Sequence, residues 1–250
     1  MRRGDAGARL RPPALPVTEM SGHVTVPPLP ALEDDASLER ANEIFWSSLL
    51  RHIQAEVLGP VKSVLDVGCH HGGLLERLAD LLHPQNIAGV EPSTISRERA
   101  TFRLRKLAPS VVLLPPERWG EIPTAGIDLL TCHEVLHLIE DLPGLFREVA
   151  RTLRASGTAF VVAGCHTENP LWPRWSEQLR AAGQTVYDRS PFDILRAGIE
   201  AGLSGAIRPL RRDGWVIYDP DRAVFKYSSV EELFDHQYRH KLLFRFVKQQ

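Results

Sequence analysis

The chain has 250 residues, 43% hydrophobic and 24% charged, with a formal net charge of -1. That length suits one large domain with an elaboration and a core that needs no disulfides, and the charge balance gives no electrostatic argument for a nucleic-acid partner. No apolar run approaches the roughly 20 residues that span a bilayer, the basic start MRRGDAGARLRPPALP lacks the apolar core of a secretory signal, and three widely spaced cysteines suit reduced thiols in a cytoplasmic protein.

Residues 1–33 are rich in Pro, Arg, Gly and Ala and cannot bury enough apolar surface to order themselves, so a flexible tail is expected, with Met20 as an alternative start. A single domain is expected over 34–250. From 37 to 58 the residues Leu38, Ala41, Phe45, Leu49 and Ile53 recur at three- and four-residue steps, a helix that Gly59-Pro60 stops. Short β-branched apolar runs then alternate with helical patterns. Strands are expected at 61–67, 86–91, 110–115, 126–132 and 157–165, and helices at 74–83, 94–108 and 142–154. Fully apolar strands separated by helices of this length mean βαβ units and a parallel sheet covered on both faces. The last third differs: an aromatic segment, a helix at 191–203, and two strands within 205–220 and 238–248 that pair as an antiparallel edge. The span 204–248 thus forms a hairpin with an inserted helix.

The stretch SVLDVGCHHGGLLERLA (63–79) places an acid, Asp66, at the end of a buried strand, followed by a glycine-bearing turn and a helix. Glycines let a ligand approach the backbone, and the helix N-terminus offers free N–H groups. Its spacing, Gly68-x-x-x-Gly72-Gly73, fails the dinucleotide template G-x-G-x-x-G. Glu91, at the end of the second strand, can accept hydrogen bonds from the two hydroxyls of a ribose.

These residues resemble the first motifs of the class I S-adenosylmethionine-dependent methyltransferases. The match lies at Asp66, Gly68 and Gly72, with His70 where the family has its middle glycine, and continues through Glu91 and the block from Asp128 to Gly164. The resemblance covers roughly 37–248. It implies an α/β fold: a Rossmann-like, seven-stranded, mostly parallel sheet with an antiparallel last strand and helices on both faces. The cofactor it implies is S-adenosyl-L-methionine. Asp66, Gly68 and Gly72 would shape the methionine end, Glu91 would hold the ribose, and Glu117 would reach the adenine. Cys69 and His70 in the turn, Pro92 beside Glu91, Arg118 beside Glu117, and Cys132 and His133 at the exit of the fourth strand complete the expected cofactor contacts.

His133-Glu134-Val135-Leu136-His137 spells H-E-x-x-H, the pattern of a zinc peptidase. That chemistry needs both histidines on a long helix, a third ligand and an open coordination position. His166 and Glu140 are available as third ligands, but the string continues directly off a strand. It reads as a strand exit, and no metal ligand set is assigned. Cys69, His70, Cys132, His133 and Cys165 all fall at carboxyl ends of strands, where open α/β sheets bind ligands. His133 is the candidate substrate-facing catalytic residue, with His137 as packing.

The helix at 37–58 resembles the family's lid over the cofactor. The segment 166–190 stands where the family inserts its substrate cap. Trp172, Trp175 and Tyr187, with Phe192 just beyond, serve either a pocket wall or a helix packed on the sheet. The reaction implied is methyl transfer to an oxygen, nitrogen or carbon of a small organic acceptor. Three alternatives stand: an RNA methyltransferase, whose basic residues at 96–106 and 208–212 would share one face, a non-catalytic relative, suggested by His70, and a metallopeptidase, which would need bound zinc. The acceptor and the oligomeric state have no sequence signature.

Overall fold

The computed structural model describes residues 35–221 and 226–249; the expected tail at 1–33, with Met20, lies outside them. Seven strands form one sheet: β1 (Ser63–Val67), β2 (Asn86–Val90), β3 (Ser110–Leu114), β4 (Ile127–His133), β5 (Leu153–Ala163), β6 (Leu203–Pro209) and β7 (Leu242–Lys248). Their order is β3-β2-β1-β4-β5-β7-β6. The first five pair in parallel, and β7 lies antiparallel to both β5 and β6. This is the mostly parallel sheet with one antiparallel strand that the resemblance implies. β7 sits inside the sheet and β6 at its edge.

Alternation along the strands sends neighbours into two separate cores. Val64, Leu129, Phe160 and Val162 pack against α1 (Asp35–Glu56), α2 (Gly73–Leu82) and α3 (Thr94–Leu104). Leu65, Leu130, Val161 and Ala163 point the other way, to α4 (Leu142–Thr152) and α6 (Pro191–Glu200). With both faces covered, a strand has no solvent side, which is why β1 is buried at all five positions. Side-chain caps start α3, α4 and α6. The Ser93 and Asp141 side chains accept from the backbone N–H of Ser96 and Gly144, and Ser190 forms a reciprocal capping box with Asp193 ahead of Pro191. Each such cap is worth about 1 kcal/mol.

The aromatic segment forms a helix, α5 (Trp172–Ala181), one of the two readings its residues allowed. The rest of the C-terminal third departs from the sequence expectation in three places. The helix expected to 203 ends at Glu200, because Gly202 takes a left-handed φ of +85° and turns the chain into β6. The strand expected through 220 ends at Pro209, which has no N–H to donate; beyond it, Trp215 and Ile217 are 89% and 82% exposed. The strand expected from 238 begins at Leu242, because α7 (Val230–Asp235) continues into a π-helical turn at His236–His240 that buries His236 and Gln237.

Candidate active site

The turn after β1 is built by three left-handed residues. Gly68, at φ +75°, donates its N–H to the Val90 carbonyl at 2.7 Å. A Cβ there would come within 2.4 Å of Val135 Cγ2, so only glycine fits between the turn and the exit of β4. His70 keeps a left-handed φ of +46° where the family has glycine, a conformation histidine adopts more readily than most residues. The turn therefore keeps its path despite the substitution. Gly72, at φ +77°, opens α2.

Glu91 is buried at the end of β2 and pinned by the backbone. Its two carboxylate oxygens accept from the N–H of His70 at 3.0 Å and of Ser93 at 2.9 Å. The acid thereby ties the glycine turn to the start of α3. Asp66 is also buried, and accepts from the Thr131 hydroxyl at 2.6 Å. Burial lifts its carboxyl to about 7; the Thr131 bond opposes that rise and the nearby Glu91 charge adds to it.

A folded-state value above the unfolded one means that the native chain holds an extra proton between about pH 4 and 7. The resulting stabilisation is fully present below the unfolded value and is lost as pH rises through about 7. The ligand-free protein should therefore melt progressively lower across this window. In Asp66→Asn, which keeps the shape without the charge, that share of the slope should vanish. Melting curves at half-unit pH steps would test it, and an unchanged slope in the variant would rule out Asp66 as the source.

A cavity of about 340 Å³ opens at this edge of the sheet, within the range of about 300–1,000 Å³ usual for small-molecule sites. One end is walled by Asp66, Gly68, Cys69, His70, Glu91 and Pro92, with α1 covering it through Glu39 and Trp46, while Phe45 of the same helix lies against Lys241 and His236. The other end is lined by His133, Glu134, His137, Cys165, Trp175, Tyr227, His236 and Lys241. Ion pairs fasten α1 across the opening: Arg103 binds Glu39 at 2.5 Å and Glu76 at 2.8 Å, and Arg77 pairs with Glu43.

The structure thus brings Asp66, Gly68, Cys69, His70, Glu91, Pro92 and His133 to one cavity. Gly72 stands behind the turn, against Ala100 and Leu104, and its neighbour Gly73 lines the cavity instead. Cys132 points to the opposite core, as alternation along β4 requires. Glu117 and Arg118 do not reach the cavity. They occupy a 3₁₀ turn, Pro116–Glu121, that buries Pro116 and Trp119; its charged residues therefore face solvent, where Arg118 pairs with Glu121.

Sequence reasoning missed the polar centre of the far end. Glu134 leaves β4 at φ +57°, and its carboxylate accepts from the Gly164 N–H at 2.5 Å and the Lys241 ammonium at 2.9 Å. Burial alone would raise its pKa, but Lys241, His133 and His137 hold it well below the usual carboxylate range. His137 is a cavity residue packed edge-on to Trp172, with ring centroids 5.6 Å apart. Burial, with the Lys241 charge, depresses His133 to about 3, His137 to about 4 and His236 to about 3. His133 Nε2 is buried without a hydrogen-bond partner among the described residues. In the ligand-free chain His133 thus presents a neutral ring to the cavity.

The comparisons agree with this geometry. A family model described as "Methyltransferase domain" matches residues 59–212, more than half of the chain. An uncharacterized protein of Haemophilus influenzae is 27% identical over 151 residues, covering 56% of this chain and 58% of the relative, so the chain spans little more than half of that curated relative. Three solved structures share the fold. A chain of the complex between the Haloferax volcanii Trm112 methyltransferase activator and a methyltransferase aligns with TM-score 0.68 and 19% identity, over 86% of this chain and 95% of the other. Geranyl diphosphate C-methyltransferase of Streptomyces coelicolor, in complex with Mg²⁺, geranyl diphosphate and S-adenosyl-L-homocysteine, gives 0.63 and 19%, over 91% of each. A SAM-dependent methyltransferase of Thermotoga maritima gives 0.60 and 14%, over 88% and 96%. The glycine turn and the pinned acid at the end of β2 fit a nucleoside carrying an amino-acid tail, and with the family match they make this chain a member of the class I S-adenosylmethionine-dependent methyltransferases.

Proposed function

We propose that the chain transfers a methyl group from S-adenosyl-L-methionine to an oxygen, nitrogen or carbon of a small organic acceptor. The observation that carries this reading is the continuity of the cavity, which joins the turn at Gly68 and Glu91 to the chamber walled by Trp175, Tyr227 and the histidines. The cofactor, when bound, supplies a methyl group already activated by its sulfonium. Asp66 and the Gly68 turn would hold its amino-acid end, and Glu91 its ribose. The chain has then to align the acceptor and exclude water. Alignment of this kind is worth up to about 7–11 kcal/mol of barrier. Lid helix α1, latched through Arg103 and Arg77, closes one side, and α5 brings Trp175 to the acceptor side as the cap.

Against an RNA acceptor stands the distribution of the basic segments. Residues 96–104 lie on α3 and 105–106 just beyond it, at the β3 end of the sheet, whereas 208–209 end β6 and 210–212 follow it at the opposite edge. Arg97 and Arg103 hold backbone carbonyls and carboxylates, and Arg211 is buried on Gln237. The two segments therefore stand apart among the described residues.

The test is calorimetry with S-adenosyl-L-homocysteine, followed by a screen of small acceptors read as production of that product. Micromolar binding and turnover of at least one acceptor are expected. Absence of binding at millimolar ligand would overturn the reading.

A further inference from the structure

The far end of the cavity holds a group of side chains that methyl transfer from a sulfonium does not by itself require. Glu134, His137 and Cys165 offer a carboxylate oxygen, a ring nitrogen and a thiol sulfur, and these atoms all lie within 4.8 Å of one another. They come from the exit of β4, the 3₁₀ turn at Leu136–Leu138 and the loop after β5. Each is held in place. Glu134 sits in a left-handed backbone conformation with its carboxylate on Gly164 N–H and Lys241. The His137 ring rests against Trp172, and its carbonyl accepts from Tyr187 N–H at 2.8 Å. The Cys165 thiol hydrogen-bonds Glu134. A non-glycine residue at such a φ costs of order 1–3 kcal/mol and persists only where the surroundings enforce it, often at a functional site.

We propose that Glu134, His137 and Cys165 bind one thiophilic divalent metal ion of the zinc class, with the remaining coordination position open to the acceptor chamber. Nitrogen, sulfur and carboxylate donors are the zinc set, and three protein ligands with one open position is the arrangement of catalytic rather than structural sites. Bonds of 2.0–2.3 Å in a tetrahedron put ligand atoms roughly 3.3–3.8 Å apart. The present spacing therefore closes on an ion with side-chain movements of about 1 Å. The sulfur ligand selects against Mg²⁺ and Ca²⁺. On binding, the S–H bond of Cys165 is replaced by a sulfur–metal bond and the proton leaves to solvent. The thiolate and the carboxylate then match the charge of the ion, and with the Lys241 ammonium still on Glu134 the site carries one net positive charge, which favours an anionic fourth ligand.

The H-E-x-x-H string thus contributes two ligands, Glu134 and His137, though from a strand exit and not from a helix. Resting on the function proposed above, the open position names an acceptor class: a small molecule whose thiol or hydroxyl binds the ion and loses its proton there, since a bound metal lowers the pKa of such a group.

Chelator-stripped protein should be titrated with Co²⁺ alone and followed by absorption. One equivalent should bind, giving a thiolate-to-cobalt charge-transfer band that Zn²⁺ abolishes by competition. The band should be absent in Cys165→Ser, and Co²⁺ affinity should fall at least roughly tenfold in His137→Gln, both variants being checked by circular dichroism. Failure of the wild type to bind Co²⁺ stoichiometrically, or persistence of the band in Cys165→Ser, would overturn the site. S-adenosyl-L-homocysteine titrated into the same stripped protein separates the two readings: cofactor binding without Co²⁺ binding removes the metal alone, and the reverse removes the methyltransferase reading.

Discussion

Gly68→Ala should destabilise the folded protein by roughly 2–5 kcal/mol, combining the cost of a side chain at positive φ with overpacking of a filled site. The clash is specific, because the new methyl would lie 2.4 Å from Cγ2 of Val135. The two contributions can be separated. Gly68→Ala combined with Val135→Ala should regain the packing share and keep the backbone strain, giving a coupling of about 1–3 kcal/mol in a double-mutant cycle. Urea unfolding of the four proteins measures this. Additive costs would mean that the turn does not rest on the exit of β4. Such a contact would make cofactor binding sensitive to a residue inside the H-E-x-x-H string.

Glu91→Ala should weaken S-adenosyl-L-homocysteine by about 100- to 10,000-fold. Two hydrogen bonds from ribose hydroxyls to a charged acceptor are worth about 1.5–3 kcal/mol each, and each 1.4 kcal/mol is tenfold in affinity. Glutamine should not rescue the loss. Both carboxylate oxygens already accept from backbone, at His70 and Ser93, so the amide must turn its NH₂ against one of those N–H groups. Calorimetry on the two variants decides the matter. Binding by Glu91→Ala within a factor of about 3 of the wild type would remove Glu91 from the ribose site.

The sheet was legible in the sequence because covered strands have a plain signature: the second half of β5 is apolar, and the apolar runs of β1 and β4 are broken only by Ser63 and Asp66 and by Asp128, Thr131 and His133. The Gly68 turn and Glu91 were legible for a related reason, since each ends a strand whose place in the order determines where it points. Glu117 was placed by counting back from Asp128, and a count carries no information about which way a turn faces. There Trp119 took the inward position. The stretch after Pro209 looked like strand because Trp215, Val216 and Ile217 are β-formers, yet it has no sheet partner to bury them. The far end of the cavity was invisible for a different reason. Glu134 and Lys241 are more than a hundred positions apart, and only the insertion of β7 next to β5 brings them into contact.

That insertion has a consequence for how the molecule is made. The strand translated last among those described is not the strand placed last at the edge, for β6 has no partner until β7 occupies the position beside β5. A nascent chain with residues 242–248 still inside the ribosome can assemble the five parallel strands but must hold β6 unpaired, an exposed edge that invites association with other chains. The same late strand is preceded directly by Lys241, the cation on Glu134. Completion of the sheet and completion of the far wall of the cavity are therefore one event in the life of each copy, and chains that stall short of it would have the glycine turn without the Lys241 that pairs with Glu134.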